Sequence, residues 1–503
     1  MLILTLFKKY NNNIIINYII VFLSILILKG FPVPISNENI YLLLPYKIWN
    51  SNFLLNDWTF ENPFLAHAVF NIFISFFTLF FSVEALGWFG RVICWILTII
   101  PLFKIGRGYN IPHWIISVSI LLWIIQGQSI VGNEWVFNSF EAKSISYLFL
   151  TYALLGILKN RDVLSSILLG LTFSFHAIVG FWSILAVLLS MILMRYHFKR
   201  IIKIIFYISI ASLPGIVFYI LTFIGDSSTS MVNSKYIVLM SQPFHLDPFS
   251  WVKRDILLTY LLFIFNSLYY LRNKDNKTIT LLYYFQFFLG IFFTLGLICR
   301  YFECYNFLRL YPCRLFPLFV LLFFFYSFMS IFYNKSLKSY KELIFTIGML
   351  SIMSLKPPFG AVFEEIRFNY RMWTRNDNNL EKSLKWIGKN TLNGSIIIAP
   401  PWEKNVWYLS KRAQIANFEY IPLSRFNEWQ NRIVTLVGKI EDFNRADQIQ
   451  EMEKFYNSLT TTDIISISNE FGADYLISKN YYFFPVMFDS GSYKVYLITT
   501  NIK

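Results

Sequence analysis

The sequence predicts a polytopic α-helical membrane protein of about eleven transmembrane helices, with a small extracytoplasmic α/β domain at its C-terminus. Three observations predict this fold class. The 503-residue chain is 56% hydrophobic and only 15% charged, which excludes an ordinary soluble enzyme. Apolar runs of bilayer length recur from about residue 13 to about residue 356. After that point charges become frequent and the apolar runs shorten to strand length.

Basic residues at the ends of the apolar runs predict the orientation. If Lys8 and Lys9 are cytoplasmic, every later basic turn falls on the same side of the membrane. These turns carry Lys104/Arg107, Lys159/Arg161, Arg195/Lys199/Arg200/Lys203, Arg272/Lys274/Lys277 and Lys335/Lys338/Lys341. The arrangement requires segment 64–82 to be an interfacial or half-buried helix on the outer side, followed by a true span at about 85–103. The N-terminus is therefore predicted to be cytoplasmic, with an uncleaved first span.

The predicted organisation is a transmembrane domain over residues 1–356, with a large first outer loop at 31–84, and an extracytoplasmic α/β domain over 357–503. Five segments of the second domain have the pattern of strands (395–399, 473–478, 493–498) or helices (379–390, 444–458). The net charge of +15 is attributed to membrane orientation, and nucleic acid is not an expected partner because no recognition module is present.

Three carboxylates lie between residues 37 and 63 of the first outer loop. Glu38 opens an amphipathic helix, where it either accepts a proton from a bound hydroxyl or ligates a divalent ion, or caps the helix. Asp57 and Glu61 are four residues apart and would share one face of a helix. The nearby Pro63 equally favours a turn, in which Asp57 caps and Glu61 is solvated.

Charged residues also lie near the outer ends of later spans. Glu141 and Lys143 enter a span from outside, where a charge is costly unless it is paired or faces a cavity. Two residues apart on a helix, they would point to different sides, so we expect them to line a cavity rather than to form a local ion pair. His176, near the outer end of its span, and His245, in an outer loop, are each either structural residues or site residues.

Three arginines break the positive-inside pattern in the outer turn 299–314. Arg300, Arg309 and Arg314 carry guanidinium groups, which suit bidentate binding of phosphate oxygens. The alternative is that they reach lipid headgroups or pair with Glu303.

Together these motifs make the sequence resemble the GT-C fold membrane glycosyltransferases, in an uncharacterised bacterial branch. The matching elements are Asn37-Glu38-Asn39-Ile40-Tyr41, Gly87-Trp88-Phe89-Gly90-Arg91, Phe140-Glu141-Ala142-Lys143, Phe175-His176, Phe244-His245-Leu246-Asp247-Pro248, Ala399-Pro400-Pro401-Trp402, Arg412 and Glu428-Trp429-Gln430-Asn431-Arg432. Asn37 stands where the family often has the first acid of an acidic pair, which leaves metal binding open.

The resemblance implies an enzyme that transfers a hexosyl or pentosyl group from a polyprenyl phosphate to an extracytoplasmic glycan, lipid or protein, in synthesis of envelope glycan or glycolipid. It implies a bacterial inner-membrane location and an outer C-terminal domain. Glu38 would be the general base or a metal-linked carboxylate, with Asp57 as second candidate. A divalent metal ion is the one cofactor considered, with its ligands unknown. The implied substrate-binding residues are Glu141, Lys143, His176, His245, Arg300, Arg309 and Arg314.

Two other functions are open. A transporter or glycolipid flippase would need paired charges along a path through the bilayer, whereas the predicted spans are nearly free of charge. A non-catalytic scaffold for envelope assembly would use the C-terminal domain as a binding module.

Overall fold

The computed structural model of the chain describes residues 13–30, 32–61, 67–223, 231–333, 377–418, 420–422, 425–439 and 445–499, with short pieces between 348 and 371. This part of the chain is largely helical and has one small sheet near the C-terminus. It forms two compact units. Unit 1 comprises Met1–Val33, Trp88–Tyr219 and Gln242–Trp373, and unit 2 comprises Pro34–Gly87, Ile220–Ser241 and Thr374–Lys503.

The helices are numbered in chain order. Those before the sheet are α1 Ile14–Lys29, α2 Glu38–Tyr41, α3 Leu44–Trp49, α4 Ala68–Thr78, α5 Val83–Arg107, α6 His113–Ile125, α7 Ala142–Leu158, α8 Asp162–Phe175, α9 Ala177–Leu193, α10 Phe198–Phe223, α11 Met231–Tyr236, α12 Pro243–Leu246, α13 Lys253–Asn273, α14 Lys277–Tyr301, α15 Tyr305–Leu308 and α16 Phe316–Tyr333. The helices of the C-terminal region that contains the sheet are α17 Asn379–Asn390, α18 Val406–Ser410, α19 Phe426–Val437, α20 Arg445–Ser458 and α21 Thr461–Phe471.

Three helices in the described residues are long and apolar enough to cross a membrane, namely α5, α14 and the Phe198–Leu221 part of α10. Helix α10 exposes most of its apolar side chains, including Ile202, Phe206 and Leu213, each at least half exposed. Such a surface is stable against lipid tails and unstable against water. These helices and the composition indicate a membrane protein. The eleven crossings stay a prediction, because several other apolar helices are shorter and residues 334–347 lie outside the described part.

Helix α4 has the length expected of an interfacial segment. Its 11 residues rise ~16 Å at 1.5 Å per residue, about half the thickness of a bilayer's hydrocarbon core. Helix α5 follows after four residues and has the length of a span. The order of a short helix and then a long one matches the sequence prediction for 64–82 and 85–103, although residues 62–66 are outside the described part.

Small residues allow close helix contacts inside unit 1. A Cβ atom on Gly170 of α8 would lie 2.6 Å from the carbonyl oxygen of Ile208 and 2.5 Å from the Cβ of Ala211 in α10. Only a glycine permits this approach of the two backbones, as is common between membrane helices. The surrounding core is rich in aromatic residues, for example Trp123 and Tyr147, both fully buried.

The C-terminal part of unit 2 contains a five-stranded mixed sheet. Its strands are β1 Ile396–Ile398, β2 Ala413–Gln414, β3 Tyr475–Ser478, β4 Val486–Asp489 and β5 Lys494–Leu497. They lie in the order β2-β1-β3-β5-β4, with β1 parallel to β2 and β3, and β5 antiparallel to β3 and β4. The strands predicted at 395–399, 473–478 and 493–498 are therefore confirmed.

Helix α17 packs its apolar face on this sheet. Leu384 and Ile387 are fully buried and share a hydrophobic cluster with Ile397 and Val495 of the strands. The helix begins with a capping box, in which the Asn378 side chain accepts from the N–H of the third helical residue and that residue's carboxylate accepts from the Asn378 N–H. The helices predicted at 379–390 and 444–458 are both present as α17 and α20.

Candidate functional site

Glu134 lies at the centre of a buried cluster of charged side chains in unit 1, hereafter the Glu134 cluster. Its side chain is 2% exposed, and its Oε1 accepts a hydrogen bond of 2.5 Å from Nη1 of Arg314. Lys143 Nζ lies 3.5 Å from Oε2, and His245 Nδ1 lies 3.5 Å from Oε1. Three distant stretches of the chain therefore meet at one carboxylate.

The loop that carries Glu134 is held by a buried glutamine. The side-chain oxygen of Gln128 accepts from the N–H groups of Val136 and Phe137, and its amide nitrogen donates to the Phe137 carbonyl, each over 2.8 Å. Buried backbone groups in an irregular loop need such partners. The side chain of Gln128 thus replaces a strand neighbour and fixes the loop.

Lys143 lies in the first turn of α7 and contacts a second carboxylate. Its Nζ lies 3.3 Å from Oε1 of Glu141 and 3.6 Å from the centre of the Trp135 ring. The expectation that Glu141 and Lys143 form no local ion pair was wrong. It placed both residues within a helix, whereas Glu141 is the extended N-cap of α7, with φ −152° and ψ 176°, so helical spacing does not separate the two side chains.

Electrostatics keeps Glu134 ionised. Burial alone would raise the pKa of this carboxyl, but the charges of Arg314 and Lys143, with His245, outweigh burial and hold the pKa below its ordinary value. Glu134 in turn acts on Arg314. Burial lowers the pKa of the Arg314 guanidinium, but the negative charge of Glu134 raises it, and the net effect is a raised pKa. Within the described residues, Nε of Arg314 is buried and has no hydrogen-bond partner. The cluster therefore contains an unused donor.

His245 joins the cluster from helix α12. Its Nδ1 lies 2.6 Å from the carbonyl oxygen of Gly132, and because a carbonyl only accepts, Nδ1 carries the proton of the neutral ring. Burial lowers the pKa of His245 to about 4; Glu134 opposes this, and Arg314 and Lys143 add to it. The imidazole is therefore neutral at pH 7.

Arg300 forms an ion pair with Asp247, which lies in the turn that follows His245. Its Nε donates to Oδ1 of Asp247 over 2.6 Å, and the same oxygen accepts from the N–H of Phe249 over 3.0 Å. The guanidinium lies 4.8 Å from the Phe249 ring centre. The sequence left pairing with Glu303 open, and the structure supplies Asp247 instead.

Two other predicted binding residues, His176 and Arg309, lie at helix ends. His176 separates α8 from α9, and its Nδ1 accepts from the N–H of Val179 over 3.3 Å, as an N-cap. Arg309 is half-buried at the end of α15. The structure thus brings Glu141, Lys143, His245 and Arg314 into one cluster and places Arg300 beside it. Substrate contacts of all seven residues stay predictions.

Asp57 is buried in unit 2 and bound by three N–H donors. Its carboxylate accepts from the indole of Trp407 over 2.6 Å, from the N–H of Gln414 over 3.0 Å and from the N–H of Thr59 over 2.9 Å. Burial raises the pKa of Asp57 to about 6, against the lowering effect of these hydrogen bonds. The carboxylate joins the first outer loop to the sheet region of the same unit.

Further hydrogen bonds join the same loop to the sheet region of unit 2. They connect Asn39 with the Lys404 carbonyl, Asn56 with the Gly394 carbonyl, Trp58 with the Ile415 carbonyl, and Glu61 with Arg425. Glu61 is largely exposed, so the structure agrees with the interpretation that left it solvated. Pro63 lies outside the described residues.

Glu38 is the first residue of α2 and is fully buried. Its Oε2 accepts from the N–H of Ile35 over 2.9 Å, which lies before the helix, so this contact orders the turn that leads into α2 and is not a helix cap. Glu38, Asp57 and Glu61 all lie in unit 2, whereas the Glu134 cluster lies in unit 1.

The donor set around these acids does not suit a metal ion. The oxygens of Asp57 already face three N–H dipoles, whose positive ends would repel a cation. Across the described ranges, no three His, Cys, Asp or Glu side chains converge in a way that could hold a metal. The divalent ion stays a prediction, and no chemical step below uses one.

The tail motifs of the sequence have structural contacts in unit 2. Arg412 donates to the carbonyls of Gly388 and Thr391, at the end of α17. Glu428 pairs with Arg432 over 2.9 Å and with Arg425 over 2.6 Å. These residues hold the C-terminal helices and the loop together.

Sequence reasoning missed Glu134 and Asp247 as site residues. Asp247 occurs in a motif that the sequence analysis quoted, and Glu134 lies seven residues before Glu141. Their partners Arg300 and Arg314 are 53 and 180 positions away. One available signal was that each acid sits in a predicted outer loop of a chain poor in charge. Such a residue needs a partner when it is buried.

The sequence matches no known protein family and no curated protein. Among solved structures, the chain is similar to the archaeal oligosaccharyltransferase AglB from Archaeoglobus fulgidus in complex with an inhibitory peptide and a dolichol-phosphate. The identity is 12% and the TM-score 0.47, over 94% of this chain and 70% of that chain. A structure of the Archaeoglobus fulgidus oligosaccharyltransferase with Zn and sulfate gives 10% identity and a TM-score of 0.44, over 93% and 67%. Both TM-scores are below 0.5, so the proposal below rests on the chain's own residues.

Proposed function

We propose that the chain is a membrane glycosyltransferase that moves a hexosyl or pentosyl group from a polyprenyl phosphate to an extracytoplasmic glycan, lipid or protein. The proposed location is the bacterial inner membrane, with the cytoplasmic N-terminus and outer C-terminal domain that the basic turns predict. The observation that carries the proposal is the Glu134 cluster, since it unites four residues that the sequence assigned to substrate binding.

The chemistry of the cluster suits a ligand rich in oxygen. Carboxylates accept hydrogen bonds from sugar hydroxyls, and ammonium and guanidinium groups donate to hydroxyl and phosphate oxygens. Nε of Arg314 is a buried donor without a hydrogen-bond partner within the described residues, and in the proposal it donates to such an oxygen. Trp135 and Tyr311 lie against the cations of Lys143 and Arg314, which adds two aromatic rings to the surroundings.

Charge stabilisation is the second requirement of the reaction. Breaking the bond between the sugar and the phosphate leaves an anionic polyprenyl phosphate, whose charge must be stabilised as it develops. Arg314 is buried and Arg300 nearly so, so their charges are poorly screened by water. In the proposal these two, with Arg309, stabilise the leaving phosphate.

The sequence prediction names Glu38 as the general base and Asp57 as second candidate. Replacing Glu38 with Gln and Asp57 with Asn tests this. If both variants fold and leave the product glycan unchanged, the catalytic role of the first outer loop is wrong while sugar transfer itself stands.

A deletion strain complemented with wild type or with Arg314→Lys tests the function. Lysine keeps the positive charge but loses the fork of the guanidinium. We expect wild-type cells to make the product glycan and Arg314→Lys cells to accumulate polyprenyl-phosphate-linked sugar, measured by mass spectrometry of lipid extracts. Equal donor levels and equal glycan in the two strains would contradict the proposal.

An assay in detergent separates an enzyme from the two rival functions. Detergent micelles have no two sides, so a flippase has nothing to transport, and a scaffold makes no bond. We expect purified wild-type protein to move labelled sugar from polyprenyl phosphate to an acceptor under these conditions.

A further inference from the structure

The contacts of His245 define which of its nitrogens is free. Nδ1 is bound to the Gly132 carbonyl at 2.6 Å, so the second nitrogen, Nε2, has the lone pair in the neutral ring. A fifth of the side chain is exposed. A lone pair on a ring of fixed tautomer is the arrangement required of a general base.

The groups around this imidazole come from every segment of the cluster. Glu134 lies 3.5 Å from Nδ1, and Lys143 of α7 and Arg314 before α16 also act on the ring electrostatically. The Tyr311 ring centre is 6.3 Å away. A carboxylate on the Nδ1 side stabilises the positive ring that forms when Nε2 takes a proton.

We propose that Nε2 of His245 is the proton acceptor for the hydroxyl group that attacks the donor sugar, in the role that the sequence gave to Glu38. The inference rests on the proposed sugar transfer. The proton of the acceptor hydroxyl passes to Nε2 while the hydroxyl oxygen bonds to the anomeric carbon. The bond from that carbon to the phosphate oxygen breaks, and the polyprenyl phosphate leaves with the electron pair.

Donor binding would strengthen this base. In the free protein, burial lowers the pKa of His245 to about 4, helped by the charges of Arg314 and Lys143 and opposed by Glu134. A bound phosphate anion offsets the two cations and moves the pKa of the imidazole upward. The ring is therefore neutral and ready before the donor binds, and more basic once it is bound.

The substitution His245→Asn separates catalysis from structure. The Asn amide can donate to the Gly132 carbonyl in place of Nδ1 but has no counterpart of Nε2. We expect sugar transfer by the purified full-length variant to fall at least ~100-fold, with an unchanged unfolding temperature. His245→Ala should regain part of its rate with added imidazole, which supplies a base but no hydrogen bond to the loop.

Modification with diethyl pyrocarbonate tests the free nitrogen without any sugar transfer. The reagent attacks unprotonated imidazole, and peptide mass spectrometry locates the adduct among the five histidines. We expect His245 in the intact protein to react almost equally at pH 7 and pH 5.5. N-acetylhistidine in the same tube has a pKa of about 6.5. Its modification should be roughly tenfold slower at pH 5.5 than at pH 7.

The outcomes separate this inference from the function it rests on. If wild type transfers sugar and His245→Asn does so at a similar rate, the role of His245 is wrong and the function stands. If His245 in the folded protein resists the reagent at both pH values, Nε2 is not free and the inference fails. If wild type transfers no sugar from polyprenyl-phosphate hexoses or pentoses in detergent, the proposed function itself fails, and the inference with it.

Discussion

Nη1 of Arg314 donates to Oε1 of Glu134 over 2.5 Å, although the two residues are 180 positions apart. Both side chains are at least nine-tenths buried. The pair joins the turn before α16 to the irregular loop before α7, and the hydroxyl of Tyr147 in α7 also donates to the Arg314 carbonyl. Removal of either charge therefore leaves its partner buried and poorly compensated.

Glu134→Gln is predicted to destabilise unit 1. It leaves the charges of Arg314 and Lys143 without their shared carboxylate, and breaking a buried ion pair in this way costs about 3–5 kcal/mol. Thermal unfolding in detergent measures the effect. The matched control is Glu451→Gln, because Glu451 forms an exposed pair with Lys454 and such pairs contribute about 0–1 kcal/mol.

The double variant Glu134→Gln with Arg314→Gln is predicted to be less destabilised than the sum of the two single variants. Each single change leaves one unpaired charge, whereas the double change removes both. Additive losses in unfolding temperature would show that the two charges do not interact.

Asp57 is predicted to give unit 2 a pH-dependent stability. Its pKa is raised to about 6 by burial, above an unfolded value of about 3.9, so the folded state holds a proton that the unfolded state releases. The stabilisation is complete below pH ~4 and is lost as pH rises through 6, at about 1.4 kcal/mol per pH unit. Comparing the unfolding of wild type and Asp57→Asn between pH 4 and 7 measures this.

In that comparison, Asp57→Asn should lack the downward slope of the wild type. Its amide cannot accept from all three N–H groups now bound, so it should also be less stable at pH 4, by about 1–3 kcal/mol. A slope shared by both proteins would assign the proton to another group.

Gly170→Ala is predicted to separate α8 from α10. The new methyl group would overlap the Ile208 carbonyl and the Ala211 side chain, and overpacking of this kind costs about 1–3 kcal/mol. Unfolding temperature in detergent checks it. The control is Leu164→Ala at a half-exposed position of α8, where a smaller change is expected.

Site-directed labelling tests the predicted topology. In a chain with its four cysteines replaced, a single cysteine at Asn480 should react with a membrane-impermeant maleimide added to intact cells. A cysteine at Asn160, in a basic turn predicted to be cytoplasmic, should react only after lysis. The opposite pattern would invert the orientation.

Some regular elements of the C-terminal region were predictable because they depend on local patterns. Strand-length apolar runs gave β1, β3 and β5, and amphipathic periodicity gave α17 and α20. The short β2 was not predictable, because its two residues carry no periodic signal. It becomes a strand only by pairing with β1.

The candidate site was predictable in part. Outer-loop charges indicated Lys143, His245 and Arg314, because a charge is rare in such a chain. Glu134 could not be ranked above other acids, since its importance lies in a partner 180 positions away. Glu141 was misjudged because sequence spacing does not say where a helix begins.

Sugar transfer by the purified full-length protein in detergent tests the central claim most directly. Wild type, Glu38→Gln and His245→Asn are incubated with polyprenyl-phosphate hexoses or pentoses that carry a labelled sugar, and the label leaving the lipid is measured. We predict that wild type transfers sugar, that His245→Asn is slowed at least ~100-fold, and that Glu38→Gln keeps most of its rate. No transfer by folded wild-type protein from any of these donors would contradict the account.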